Sequence, residues 1–340
     1  MPRKVLVLDR GDILHPLEEA RPGALNCLPA LPGNLQLTDL TKEGERRVAL
    51  AKWLADERNV LVWRSIVNRL WHYHFGRGIV DTPNDFGRMG SGPSHPELLD
   101  WLATELIAQG GSLKSIHRLI VNSETYQQSS AHNEHNAAFD ADNRFLWRMN
   151  RQRLDAESIR DAMLSISGQL NTTMGGPSAR QFIQSPGVHV TPVVNYLNFN
   201  PDEPANYRRS IYRFIFRTLP DPFMDAMDCP DASQLTPKRT ESLTALQALA
   251  MLNDKLVVRL SEHVAKRVEL LTSDPQFKLV RPVENLTPEA TQRIEIAYRL
   301  IFNRLPSTDE ARAVSGYVEK HGLASGCRFL LNTNEFMFVD

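Results

Sequence analysis

The chain lacks the features that would assign it at once to a chemistry or a compartment. Its 340 residues include three cysteines, Cys27, Cys229 and Cys327, and no two of them have the close spacing of a zinc or haem-attachment motif. An odd number of widely separated cysteines also predicts no disulfide framework. Cysteine usage therefore leaves the compartment open.

Long apolar runs and an excess of charge are lacking too. No apolar run approaches the roughly 18–20 residues of a membrane span, and the run of about five at the start is short for a signal peptide. Lys+Arg is 39 and Asp+Glu is 40, so the net charge is −1. The net charge therefore creates no overall electrostatic field that would attract nucleic acid or an anionic membrane. The abrupt start is interpreted as that of a piece or a short version of a longer protein.

Familiar catalytic motifs are missing as well. The sequence contains no G-x-S-x-G elbow, Walker loop, dinucleotide fingerprint or H-E-x-x-H. Motifs therefore leave open whether the chain is an enzyme.

Amphipathic, capped segments dominate what is present. Examples are NVLVWRSIVNRLWHYHFG, SHPELLDWLATELIAQGG, whose Ser94 and Glu97 form an expected capping box, and SLTALQALAMLND. They predict a mainly α protein, an irregular multi-helix bundle with helix in more than about half of its residues, well above the base rate. YRRSIYRFIFRTL is predicted as one further helix, and residues 131–147 as a polar loop.

Proline and glycine mark the expected boundaries. Residues 1–36 carry five prolines and predict an extended arm, with a short strand in KVLVL. Residues 37–340 predict one large helical module, which we expect to subdivide into 37–174 and 205–340. The irregular segment 175–204 would join these parts, with a short β excursion near residues 180–195.

The segment NRLWHYHFGRGIVDTPNDFG and the helix start after it hold the candidate ligand-binding residues. His72 and His74 are two positions apart, about 200° around a helix, so we expect no metal shared between them and no metal site. Glycines and polar side chains could gather a ligand at a helix amino terminus, which attracts anions. The same residues could instead only tie down a long loop. The candidates are Asn68, His72, His74, Arg77, Asp81, Asp85 and His95.

A second basic candidate is an arginine run. Arg209, Arg213 and Arg217 are four apart and would form a helical stripe beside Arg208. The stripe could grip phosphate or sulfate. Four aspartates follow directly, so a seam of ion pairs is the favoured interpretation.

Taken together, VNRLWHYHFGRGIVDTPNDFG, PSHPELLDWLATELIAQGGSLKSIHRLIVNSETYQQSS, LTALQALAMLND and FLLNTNEFMFVD resemble the planctomycete PSD-one domain, a domain of unknown function. The resemblance runs from about Val5 to Asp340 in the family's order. That family has no established catalytic residues to transfer.

The resemblance implies a setting. Such domains lie at the carboxy end of larger exported proteins, after a cytochrome-c-like module and a companion module. It therefore implies a periplasmic or extracellular place, with haem confined to a separate module and no cofactor in this chain. We expect a binding or scaffold module that holds a partner module or a surface glycan. The alternative is an enzyme of unassigned class with a polar site around residues 68–95.

Overall fold

The computed structural model describes residues 4–188, 192–232, 234–277 and 282–339. Helices account for 47% of them, slightly less than the expected half, and this confirms a mainly α chain. The chain forms two compact units, Met1–Asn150 and Arg151–Asp340. The arm boundary at residue 36 and the subdivision around residues 175–204 stay predictions.

The first unit begins with an antiparallel hairpin of β1 (Leu6–Leu8) and β2 (Pro16–Glu19). The extended stretch after it returns to the helices, because buried Leu28 and Leu31 pack with Trp53. Six helices follow: α1 (Glu43–Leu54), α2 (Val60–Phe75), α3 (Pro96–Ala108), α4 (Leu113–Val121), α5 (Glu124–Gln127) and α6 (Glu134–Phe139). The last corrects the prediction of a loop over residues 131–147.

Helices α2, α3 and α4 surround the core of this unit. Asn59 caps α2 by accepting from the Val62 N–H, and Gly76 ends it with a φ of 75° that glycine adopts without cost. Apolar residues at helical spacing then face inward. Burying each large side chain stabilises the fold by roughly 1.5–3 kcal/mol. The buried set is Val67, Leu70, Phe75, Ile79, Val80, Leu99, Leu102, Ala103, Leu106, Ile116 and Ile120.

The second unit is centred on a long helix. Its elements in chain order are β3 (Gln152–Arg153), α7 (Ala156–Ile166), β4 (Ile183–Ser185), β5 (Val193–Asn195), α8 (Pro222–Ala226), α9 (Ala245–Asn253), α10 (Lys255–Thr272), α11 (Pro288–Phe302), α12 (Thr308–His321), α13 (Leu323–Leu331), α14 (Asn334–Met337) and β6 (Phe338–Val339). Helix α10 packs on α13, α11, α9 and α7. The buried face of α10 comprises Leu256, Val257, Leu260, Ser261, Val264, Ala265 and Val268.

Strands are few and short in this unit. β3 pairs with β6, so the start and the end of the unit lie side by side. β4 and β5 form an antiparallel pair, with Ile183 opposite Asn195. This confirms the predicted excursion near residues 180–195, although residues 189–191 lie outside the described part of the chain.

The predicted helix over YRRSIYRFIFRTL is wrong. The segment holds only a 3₁₀ turn at Ser210–Tyr212, after another at Pro204–Tyr207. Its backbone forms hydrogen bonds with the backbone at Ala179 instead. The Ala179 N–H donates to the Tyr212 carbonyl at 2.7 Å, and the Phe214 N–H donates to the Ala179 carbonyl at 2.7 Å. Bonds to a neighbouring segment take the place of the bonds a helix would make along itself.

Candidate functional site

A polar pocket of about 130 Å³ opens in the first unit, where the α2–α3 loop meets residues 142–150. Three of the seven predicted residues line it: Arg77, Asp81 and His95. The remaining lining residues are Trp71, Gly78, Ile79, Ser91, Gly92, Ser94, Asp142, Asn143, Arg144, Leu146 and Asn150.

Asn68 supports this pocket from behind. It is fully buried, its Nδ2 donates to the Val80 carbonyl at 2.9 Å, and its Oδ1 accepts from the Val80 N–H at 2.8 Å. A side-chain amide thus pairs with a backbone amide as a second strand would. A Cβ at Gly78 would lie 2.5 Å from the Val80 carbonyl oxygen and 2.9 Å from the Asn68 amide. Asn68 therefore positions the loop and is absent from the pocket lining.

The loop carries an ion pair at the pocket. Arg77 Nη2 lies 3.1 Å from Asp81 Oδ2, with the two side chains 44% and 33% exposed. The Asp81 N–H donates to Ser91 Oγ at 2.9 Å, which ties the two sides of the loop together. Asp85 lies outside the pocket and accepts from the Gly87 N–H at 2.8 Å, as in a local turn.

The start of α3 differs from the predicted capping box. The N-cap is His95, and no side chain caps the helix. Ser94 instead bonds His95, with Oγ 2.9 Å from Nδ1, and its N–H donates to the Ile79 carbonyl at 2.9 Å. The ring of Phe145 lies edge-on to His95 at 5.7 Å. The helix amino terminus thus faces the pocket with its first-turn N–H groups uncapped by side chains.

Residues 140–150 form the wall that the sequence did not predict. Asn143 and Leu146 adopt left-handed backbone conformations, with φ of 50° and 54°. Asn143 Nδ2 donates to Asn150 Oδ1 at 2.8 Å, and Asn150 Nδ2 donates to the Phe75 carbonyl at 2.8 Å. The hydrogen bonds hold a backbone shape that costs a leucine of order 1–3 kcal/mol. The only sequence feature that could have indicated this wall was the high proportion of Asn and Asp in the stretch.

The two histidines of α2 lie elsewhere. His72 packs edge-on against Tyr73 with ring centroids 5.8 Å apart. His74 bonds His117 of α4, with Nε2 and Nδ1 2.8 Å apart, and the Tyr126 ring lies edge-on at 5.4 Å. Burial and the neighbouring His117 lower the pKa of His74 below its ordinary value. Sequence reasoning did not anticipate His117, because the partners are 43 residues apart.

A buried polar network occupies the second unit. Asp228, left-handed at φ 62°, accepts from Arg153 Nη1 at 2.6 Å, from the Ser242 N–H at 2.9 Å and from Gln247 Nε2 at 2.9 Å. Burial acts to raise the pKa of Asp228, but the bonds from Ser242 and Arg153 outweigh it and lower the pKa overall. Through these bonds the Asp228 carboxylate joins β3 and α9 to the turn in which Asp228 lies.

The arginine run forms no stripe, because the helix that would align it is absent. Arg213 pairs with Asp221 at 2.8 Å, and Arg209 lies 4.0 Å from Asp161. Arg208 donates to the backbone carbonyls of Pro177 and Gly175. The predicted pairing with the aspartates that follow is therefore observed at Arg213, whereas Arg209 lies near Asp161 of α7 instead.

Within the described ranges, no group of three or more His, Cys, Asp or Glu residues is placed to hold a metal ion. The expectation of no cofactor in this chain stays a prediction. Among those same residues, no helix combines the length and the apolar character needed to cross a membrane.

The fold and the pocket together define a mainly helical protein with a polar pocket. The chain belongs to the PSD1 family, described as a protein of unknown function (DUF1553), whose model matches residues 46–318. This confirms the resemblance seen in the sequence. No curated protein and no solved structure matches the chain.

Proposed function

We propose that the protein is a binding module whose polar pocket holds a hydroxyl-rich ligand, such as one sugar residue of a polysaccharide. The observation that carries the proposal is that the pocket lining contains both hydrogen-bond donors and hydrogen-bond acceptors. Arg77 and Arg144 supply N–H donors, and Asp81 and Asp142 supply acceptor oxygens.

A sugar suits this lining because each hydroxyl both donates and accepts. Trp71 adds an apolar flank against which the C–H face of a ring can pack. The two arginines are balanced by two aspartates, and Arg77 is already paired with Asp81. This balance favours a neutral ligand over the anion that the helix terminus alone suggests.

The test is affinity electrophoresis of the full chain in gels containing dextran, galactomannan or polygalacturonate. We expect a neutral polysaccharide to retard the protein. Arg77→Ala and Asp142→Asn should weaken retardation about tenfold or more, which corresponds to about 1.4 kcal/mol. Their thermal midpoints should stay near that of the parent, because exposed pairs contribute about 0–1 kcal/mol.

Arg69→Ala is the matched control. Arg69 is bonded to Asn84 at 2.5 Å and is absent from the lining, so its loss should leave retardation unchanged. Retardation by polygalacturonate alone would replace the neutral ligand with an acidic one. Equal loss of binding in Arg69→Ala and Arg77→Ala would show that the polysaccharide does not bind in this pocket.

An enzyme with its site around residues 68–95 is the second candidate. The left-handed Asn143 and Leu146 at the pocket wall favour it, because such strain clusters at active sites. Release of reducing ends from a retained polysaccharide, abolished by Asp142→Asn, would support an enzyme. Retention without release would support the binding module.

The setting forms part of the proposal and is supported by the family resemblance. We expect this module to be joined to cytochrome-c-like and companion modules of a larger protein in the periplasm or outside the cell. Haem would then lie in the separate module. The measurement is whether the native polypeptide, isolated from the periplasmic or secreted fraction, has a haem absorbance.

A further inference from the structure

The second unit contains a larger pocket than the first. It measures about 330 Å³, within the range of about 300–1,000 Å³ usual for small-molecule sites. It lies between the 213–218 segment and the loop that runs through α8. Its lining is Tyr196, Arg213, Phe214, Ile215, Phe216, Arg217, Thr218, Pro220, Asp221, Met224, Asp225, Cys229, Pro230, Asp231 and Ala232.

Aromatic rings build one wall of this pocket. Buried Phe182 contacts Tyr196, Phe214 and Phe216 edge-on, with centroids 5.5, 5.6 and 6.1 Å away. The three contacting rings line the pocket around this anchor, beside Ile215, which is 61% exposed. A preformed wall of rings favours a flat apolar ligand, since stacked and edge-on ring pairs add attraction beyond the burial of apolar area.

A buried arginine lines the pocket beside this wall. Arg213 has a side chain only 9% exposed and donates through Nη2 to Asp221 at 2.8 Å and through Nε to Gln181 at 3.2 Å. Within the described chain its Nη1 has no hydrogen-bond acceptor. Asp221 is already engaged, because its Oδ2 accepts from Arg213 and its Oδ1 accepts from the Phe223 and Met224 N–H groups. The pocket therefore offers a donor and calls for an acceptor on the ligand.

Charge selects the kind of acceptor. The lining holds two arginines and three aspartates, so it carries no excess of positive charge that would favour a carboxylate. The Cys229 thiol in the wall is neutral at physiological pH, because burial and the nearby Glu157 raise its pKa to about 11. A carbonyl oxygen meets the donor without adding an anion to this wall.

We propose that this pocket is a second binding site, for a neutral ring-containing molecule with a carbonyl oxygen that Arg213 Nη1 binds. The site is independent of the sugar pocket proposed for the first unit. Either proposal can therefore fail without the other.

The probe is 2-naphthamide, with 2-naphthoate as the charged analogue and naphthalene as the analogue without an acceptor. Binding is measured by saturation-transfer NMR on the full chain. We expect the amide to bind at least about tenfold more tightly than either analogue. Equal binding of the amide and naphthalene, or no binding of the amide at millimolar concentration, would overturn the proposal.

Two variants locate the site. Ala232 is an exposed lining residue, so Ala232→Trp fills the pocket and should abolish binding of 2-naphthamide. Ala313→Trp adds the same ring at an exposed position of α12 and should leave binding unchanged. Equal effects of the two variants would overturn the assignment.

Arg213→Lys keeps a positive charge beside Asp221 but removes Nη1. We expect it to weaken the amide about tenfold and to leave naphthalene unaffected. If this variant fails to fold, cysteine alkylation of the parent protein tests whether the probe binds in this pocket. Bound 2-naphthamide should slow the modification of Cys229 at pH 9. It should leave the rate of modification of exposed Cys27 unchanged. Unchanged alkylation of Cys229 under saturating probe would contradict the site.

Discussion

One arginine of the first unit and two arginines of the second use their charge in opposite ways. In the first unit, Arg77 and its partner Asp81 are open to solvent at the edge of a pocket. In the second, Arg160 is 1% exposed and Arg153 is 8% exposed, and each bonds several groups of the chain. The comparison shows that the number of charges does not mark a functional site. What distinguishes a site is whether a polar group still faces space that a ligand could enter.

The physical reason is the cost of burying charge. An arginine removed from water must recover that cost through bonds to its surroundings. Arg160 donates to the Asn206 carbonyl at 2.5 Å and to the Arg208 carbonyl at 3.0 Å, where no helix takes up those carbonyls. Burial and the charge of Arg213 lower the pKa of Arg160 to about 10, so it remains charged at neutral pH.

The largest effect should come from removing this buried charge. Arg160→Met leaves the carbonyls of Asn206 and Arg208 without their donor, and we expect a loss of about 3–5 kcal/mol in the free energy of unfolding. Urea denaturation measures it. Arg209→Met is the control, since Arg209 is 50% exposed and 4.0 Å from Asp161, and it should cost under about 1 kcal/mol. Similar losses in both variants would contradict the contrast between buried and exposed arginines.

The next effect concerns the loop of the first unit. Asn68→Ala removes both bonds to buried Val80, and each unpaired buried group costs about 1–3 kcal/mol, so a loss of at least about 2 kcal/mol in the free energy of unfolding is expected. Because the 77–80 loop is then released, retention by the polysaccharide should also fall. Asn84→Ala, which loses one exposed bond to Arg69, serves as the control. A fully stable Asn68→Ala protein would show that other contacts position the loop.

The smallest effect is a pH dependence from His74. Its folded pKa is lowered, so the unfolded chain binds this proton more readily than the folded chain does. The contribution to stability is complete above the ordinary value of 6.5 and is lost as the pH falls through the lowered folded value. The urea midpoint should therefore decline from pH 7.5 to pH 5, and His74→Gln should flatten that decline.

His135→Gln, at an exposed position, provides the comparison for this slope. It should leave the pH dependence as it is in the parent. A steeper decline in His74→Gln than in the parent would reverse the sign and show that the pair with His117 stabilises the charged form.

Helix ends were the most predictable part of the fold. Thr287 caps the helix that starts at Pro288, and Ser307 with Glu310 forms a capping box. Such signals act over three or four residues, so they can be read from neighbours in the chain. Ser94 failed as a cap because its hydroxyl and N–H are engaged by His95 and Ile79.

The candidate site was predicted in part. Arg77, Asp81 and His95 line the pocket, and Asn68 and Asp85 hold its loop, while His72 and His74 lie outside the lining. Residues 142–150 were not anticipated as its other wall, because no local pattern joins them to a loop some sixty residues earlier in the chain.

The sequence by itself determined the helical class and most helix limits, since periodicity, caps, prolines and glycines act locally. Only the tertiary structure decided that residues 207–214 run beside residues 171–179 and that His74 bonds His117. It also decided which arginines are buried and which line a pocket. These outcomes depend on partners distant along the chain, and burial decides whether a polar group must be paired or is available to a ligand.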